Sequence, residues 1–287
     1  MAEKRVTTVD LNVEGRDGRV VPVRHYGPAL VRGSTESPVV WVHGGAFVGG
    51  GLNQRESHAV ALAVADTGRA VVTVDYRLAP AFNWVKPLTE RNLRPGQRFP
   101  AALNDVSDVF RWVHDRTGRA ILGGASAGAA LSASATLRAL RMNAPFPETL
   151  VLAYGTFRAE LPPVATAIRQ RIRGVNSLVQ FRPRTVANMN LNYAGSVAAL
   201  SDPLAFPGGA DVFGFPPTLL VDADRDSLRS SGERFANELA AAGVHTDHHV
   251  VANSRHGFLD RPGSAAFAAG IEIIVGWLAA GGPVPST

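Results

Sequence analysis

The chain has 287 residues, 46% of them hydrophobic and 18% charged, which suits one large domain with a sizeable core and excludes wholesale disorder. It contains no cysteine, so disulfides, thiolate metal sites and a cysteine nucleophile are excluded, and a reducing compartment fits. The net charge of +5 does not signal nucleic acid: Lys4 and Lys86 are the only lysines, and the arginines are scattered without a basic run of five.

The start, MAEKRVTTVDLNVEGRDG, lacks the apolar stretch of a secretory signal. No segment approaches the roughly 18 consecutive apolar residues of a membrane span. The expectation is a soluble, cytoplasmic protein. RVTTVDLNV and RVVPVRHYG alternate apolar and polar residues around EGRDG, an opening hairpin. SPVVWVHGG then reads as a strand, NQRESHAVALAVADTG as a helix stopped by glycine, and RAVVTVDYR as a further strand. In FPAALNDVSDVFRWVHDRTG, Leu103, Val106, Phe110 and Val113 recur at a helical period.

The alternation continues through strand RAILG, helix AGAALSASATLRALRM, strand TLVLAYG and strand PTLLVDAD. Helix SGERFANELAAAG, strand HTDHHVVA and helix SAAFAAGIEIIVGWLAA complete it. Strands buried on both faces and alternating with helices predict a mostly parallel α/β sheet covered on both sides. Two segments break the rhythm: a proline- and arginine-rich insert at 81–98, with Trp84, Arg91, Arg94 and Arg98, and a mixed stretch from about 157 to 216. Both read as loops or a lid on a single domain spanning 1–287.

ILGGASAGAAL, residues 121–131, surrounds one hydroxyl with the smallest side chains available. Gly124-Ala125-Ser126-Ala127-Gly128 fits G-x-S-x-G and lies between a strand and a helix, the setting of a nucleophile elbow. There a strained turn points the serine out of the sheet, above the positive end of the following helix. A close helix–sheet packing motif is the competing reading. A serine nucleophile needs a base, and the base an orienting acid, here in the chain order serine, acid, histidine. His245, His248 and His249 lie in or beside a strand, whereas His256 follows it in a loop, which makes His256 the candidate base. Asp222, Asp224 and Asp226 all follow a strand end, and sequence physics does not choose among them. WVHGGAFVGGG supplies a glycine-rich turn after a strand; with no P-loop lysine, it reads as an oxyanion hole and not a phosphate cradle.

Taken in order, HGGAF (43–47), VDYRLAP (74–80), FPAALNDV (99–106), GASAG (124–128), DRDSL (224–228) and RHGF (255–258) resemble the hormone-sensitive-lipase-like esterases of the α/β-hydrolase fold. The resemblance covers roughly residues 38 to 260. It implies Ser126 as nucleophile, His256 as general base and Asp226 as the acid. The backbone N–H groups of Gly45, Ala46 and Ala127 are implied as oxyanion donors, with His43 supporting the loop. It implies hydrolysis of carboxylic esters of short to medium acyl chain through an acyl-enzyme, with no metal or organic cofactor. Pairing of two copies through the last strand and helix is implied as well.

The chain departs from the family pattern at Ala46, where a third glycine is usual, at Ala125 and at Ala81. The region before His43 is also shorter than the family's helical cap. An amide or formamide substrate would use the same triad, and a non-catalytic ligand-binding relative would be expected to lose one of its members.

Overall fold

The computed structural model describes residues 6–81, 96–174, 176 and 180–281. The insert read at 81–98 therefore lies, over 82–95, outside the described residues, and Trp84, Arg91 and Arg94 with it. Strands β1 (Thr8–Glu14) and β2 (Val20–Tyr26) form the expected hairpin, followed by β3 (Val39–Val42), helix α1 (Arg55–Asp66) and β4 (Val71–Val74). Helix α2 (Ala101–Thr117), β5 (Ile121–Ala125), α3 (Ala127–Arg141) and β6 (Leu150–Ala153) come next. After three shorter helices the chain closes with β7 (Thr218–Ala223), α7 (Arg229–Ala241), β8 (Thr246–Val251) and α8 (Ala265–Ala279).

The eight strands form one sheet in the order β1-β2-β4-β3-β5-β6-β7-β8. The first two pairings are antiparallel, and every pairing from β4 to β8 is parallel. Every residue of β3, β4, β5, β6 and β7 is buried, because helices cover both faces. Alternate strand residues divide between two cores. Val40, Val42, Leu122, Leu152 and Leu220 pack with α2, α3 and α7, whereas Val39, Trp41, Ile121, Val151 and Val221 pack with α1 and α8. The period of two along each strand thus partitions the hydrophobic content of the chain. On α2, Leu103, Val106, Phe110 and Val113 form the buried stripe that the helical period predicts.

The stretch at 157–216 is less irregular than its composition suggests. It contains α4 (Thr166–Arg171), α5 (Pro183–Ala194) and α6 (Val197–Leu200). Pro183 opens α5, where its missing N–H costs no hydrogen bond, and Gly195 ends it in the left-handed region at φ 85°. Helices α4 and α6, of six and four residues, are too short to show a hydrophobic period, whereas α5 buries Val186, Met189 and Tyr193 at helical spacing. No helix among the described residues is long and apolar enough to cross a membrane.

Candidate active site

The smallness of the residues around Ser126 has a direct steric cause. A Cβ on Gly124 would lie 2.6 Å from the Val42 carbonyl oxygen, and one on Gly128 only 2.1 Å from the same atom. Strand β3 therefore runs against the elbow, and neither position has room for a methyl group. Ser126 itself sits at φ 54°, ψ −116°, a conformation that costs a non-glycine residue on the order of 1–3 kcal/mol. Its N–H donates to the Ala153 carbonyl at 2.8 Å, tying the turn to β6. Helix α3 starts at the next residue, so its positive end lies beside the hydroxyl.

The fold brings Asp226 and His256 to this serine. His256 Nε2 is 3.0 Å from Ser126 Oγ, and His256 Nδ1 is 2.6 Å from Asp226 Oδ2. The three-way choice among the acids resolves by partner. Asp222 is buried against His248, its Oδ2 being 2.9 Å from His248 Nε2. Asp224 is engaged by Arg171, with Arg229 at 3.8 Å. Burial works against a charged imidazole at His256, but the charge and hydrogen bond of Asp226 outweigh it and hold its pKa above the ordinary 6.5.

The glycine-rich turn stands beside this row. Gly45, Ala46 and Phe47 all have positive φ, at 110°, 56° and 64°. Among the described residues, the N–H groups of Gly45, Ala46 and Ala127 have no protein acceptor and are free for a ligand oxygen. His43 is fully buried, stacks on Tyr76 at 4.3 Å and approaches the Gly44 carbonyl with Nδ1 at 2.7 Å. Burial depresses its pKa to about 4, so it braces the turn as a neutral ring.

Two further residues of the site carried no signal in the sequence. The Glu56 carboxylate, buried in the first turn of α1, accepts from the Gly44 N–H at 2.7 Å, from Gln54 at 2.8 Å and from the Tyr154 hydroxyl at 2.9 Å. Gly44 separates it from the nucleophile by one residue's thickness: a Cβ there would sit 2.3 Å from Glu56 Oε1 and 2.9 Å from Ser126 Cβ. Burial pushes the Glu56 pKa up, while its donors and the nearby His256 act the other way. Tyr154 then meets the His256 ring edge-on at 5.0 Å, and Phe181 does so at 4.8 Å from the lid segment.

A family model described as the alpha/beta hydrolase fold matches residues 39–90 and 92–260. The chain is 31% identical to Esterase LipI of Mycobacterium tuberculosis over 277 residues, covering 89% of this chain and 76% of that one. It is 30% identical to Carboxylesterase NlhH of the same organism, with 86% and 74% covered. An esterase of Pyrobaculum calidifontis superposes with a TM-score of 0.78 at 28% identity, covering 98% of this chain and 86% of that structure. The chain belongs to the hormone-sensitive-lipase-like family of the alpha/beta hydrolase fold.

Val186 and Met189 of α5 are buried against Leu228, with Ala46, Leu161 and Phe181 partly buried beside them. Helix α5 therefore rests on the glycine-rich turn and on the residue two after Asp226, and gives the site an apolar roof. Tyr193 of α5 adds a second anchor by stacking on Phe47 at 3.9 Å. Ala46 puts a methyl group at positive φ, where glycine would be unstrained.

Proposed function

We propose that this carboxylic ester hydrolase forms its acyl-enzyme on Ser126 and takes esters of short to medium acyl chain. The observation that carries the reading is the hydrogen-bonded row Asp226–His256–Ser126, with distances of 2.6 and 3.0 Å, next to three unpaired backbone N–H groups. The Ser126 hydroxyl donates to His256 Nε2, and His256 Nδ1–H donates to Asp226, which sets the tautomer with the basic nitrogen toward the serine. As Ser126 Oγ attacks the ester carbonyl, its proton passes to His256 and the carbonyl oxygen takes the negative charge. The N–H groups of Gly45, Ala46 and Ala127 stabilise that oxyanion, each such donor being worth about 10²–10³ in rate. His256 then protonates the departing alkoxide. Water, deprotonated by the same ring, hydrolyses the acyl-enzyme and regenerates Ser126.

The apolar roof of Val186, Met189, Leu161 and Phe181 favours a hydrocarbon acyl or alcohol group over a charged one. In the same reading 157–216 acts as the lid of a single domain, and two copies pair through β8 and α8. Strand β8 ends the sheet with an open edge, and Phe267, Ile271 and Ile273 on α8 are only partly buried. Hydrolysis of p-nitrophenyl acetate, butyrate and octanoate by the wild type and Ser126→Ala tests the core of the proposal. Loss of about 10⁴-fold or more in the variant, with short esters preferred, is expected. A variant that retains most of the activity would remove Ser126 from the mechanism.

A further inference from the structure

The loops that carry the acid and the base are each preceded by an arginine. Arg225 comes just before Asp226, and Arg255 just before His256. Both are half-buried and, with the exposed Arg261, line a surface cleft of about 250 Å³ whose walls include neither Ser126 nor His256. No carboxylate lines this cleft among the described residues. Of the acids adjacent in sequence, Asp224 is taken by Arg171 and Arg229, Asp226 by His256, and Asp260 accepts from the Glu56 N–H. Among the described residues, the two half-buried arginines donate to neutral amide oxygens: Arg225 Nη2 to Asn253 at 2.6 Å and Arg255 Nη2 to Asn176 at 2.7 Å. Three arginines thus line one small cleft whose described walls hold no carboxylate.

The opposite wall adds to the same polarity. Ser264 and Ala266 line the cleft at the start of α8, where Ser264 caps the helix by accepting from the Phe267 N–H at 3.1 Å. The positive end of a 15-residue helix therefore faces the same space as the arginines. The loops on either side are joined beneath, since the Arg225 N–H donates to the Ser254 carbonyl at 2.9 Å.

We propose that this cleft binds a phosphate-type oxyanion, either free or as the phosphoryl group of a small metabolite, and that the bound anion clamps the Asp226 loop to the His256 loop. A tetrahedral dianion offers enough acceptor oxygens to engage three guanidinium forks, which a single carboxylate does not. The cleft volume lies below the roughly 300–1,000 Å³ of pockets for drug-sized ligands, which points to a small anion. The site stands apart from the catalytic reading, because its lining and its test involve none of the triad.

The test is a titration of the full chain with inorganic phosphate at constant ionic strength, following the thermal unfolding midpoint and the phosphorus NMR linewidth. A saturable rise of the midpoint is expected with phosphate and not with acetate or chloride. Arg225→Gln and Arg261→Gln should each weaken half-saturation by about tenfold or more, the loss of a charge-assisted contact, with the midpoint in chloride unchanged. Glycerol 3-phosphate in a parallel series separates the two sources: tighter binding than phosphate marks a phosphorylated metabolite, and equal binding marks the free ion. A response linear in phosphate, an equal response to acetate, or unaltered binding in both variants overturns the proposal.

Discussion

Glu56 holds the glycine-rich turn through the Gly44 N–H and reaches the His256 ring through Tyr154, so its charge and its shape can be tested apart. Glu56→Gln keeps an acceptor for Gly44 and removes the charge, and we expect kcat to fall about tenfold with KM nearly unchanged. Glu56→Ala leaves buried donors unpaired and should cost about 1–3 kcal/mol for each, read in a denaturant titration. Equal kinetics for wild type and Glu56→Gln would leave the residue a purely structural role. At His256 the sign follows from its task in the proposed mechanism. The ring must be neutral to accept the serine proton and its pKa is raised, so kcat/KM should fall with decreasing pH through a midpoint above 6.5. Asp226→Asn removes the raising charge, and the surviving activity should have its acid limb at lower pH. Ala46→Gly removes both the strain at φ 56° and a methyl group beside the carbonyl. Esters of bulky alcohols should gain several-fold in kcat/KM relative to ethyl esters. The serine, the histidine and the three candidate aspartates were legible as motif residues. Glu56 was not, because nothing in NQRESHAV distinguishes a carboxyl that turns inward from one that faces water.

Between elements, the closest approach is that of β3, β5 and α3 at the elbow. Gly124→Ala or Gly128→Ala would push a methyl group into the Val42 carbonyl, and each should destabilise by about 1–3 kcal/mol while displacing Ser126. The two readings of GASAG, elbow and tight packing motif, therefore describe one arrangement: tight packing is what allows the turn. At the lid, Tyr193 is fixed by its stacking on Phe47, and its buried hydroxyl has no partner among the described residues. Tyr193→Phe is expected to leave the fold intact and to raise stability by up to about 1 kcal/mol in thermal unfolding. A loss of that size would reveal a hydrogen-bond partner for the hydroxyl. The long helices α2, α3, α7 and α8 were legible from periodicity and glycine or proline punctuation. Helices α4 and α6 were not, because they are too short for a repeating face, and α5 was missed because its face of Val186, Met189 and Tyr193 is interleaved with asparagine, arginine and threonine side chains in a proline-bearing stretch.

For the molecule as a whole, the edge position of β8 and the half-covered apolar face of α8 are what the proposed pairing of two copies rests on. Sedimentation at micromolar concentrations should give twice the chain mass of 30.3 kDa, and a monomer throughout would remove the pairing. The alternation of β-branched runs with helical periods determined the α/β class, the hairpin at the start and the order of the strands along the chain. These are local consequences of side-chain period, and they survive without knowledge of any contact. The order of strands across the sheet, the partner of each aspartate and the convergence of Ser126 with His256, 130 residues later, were decided only in three dimensions. The physical reason is the same in each case. Burial and hydrogen bonding act between residues that are close in space, and sequence spacing carries that information only where a motif or a period ties the two together.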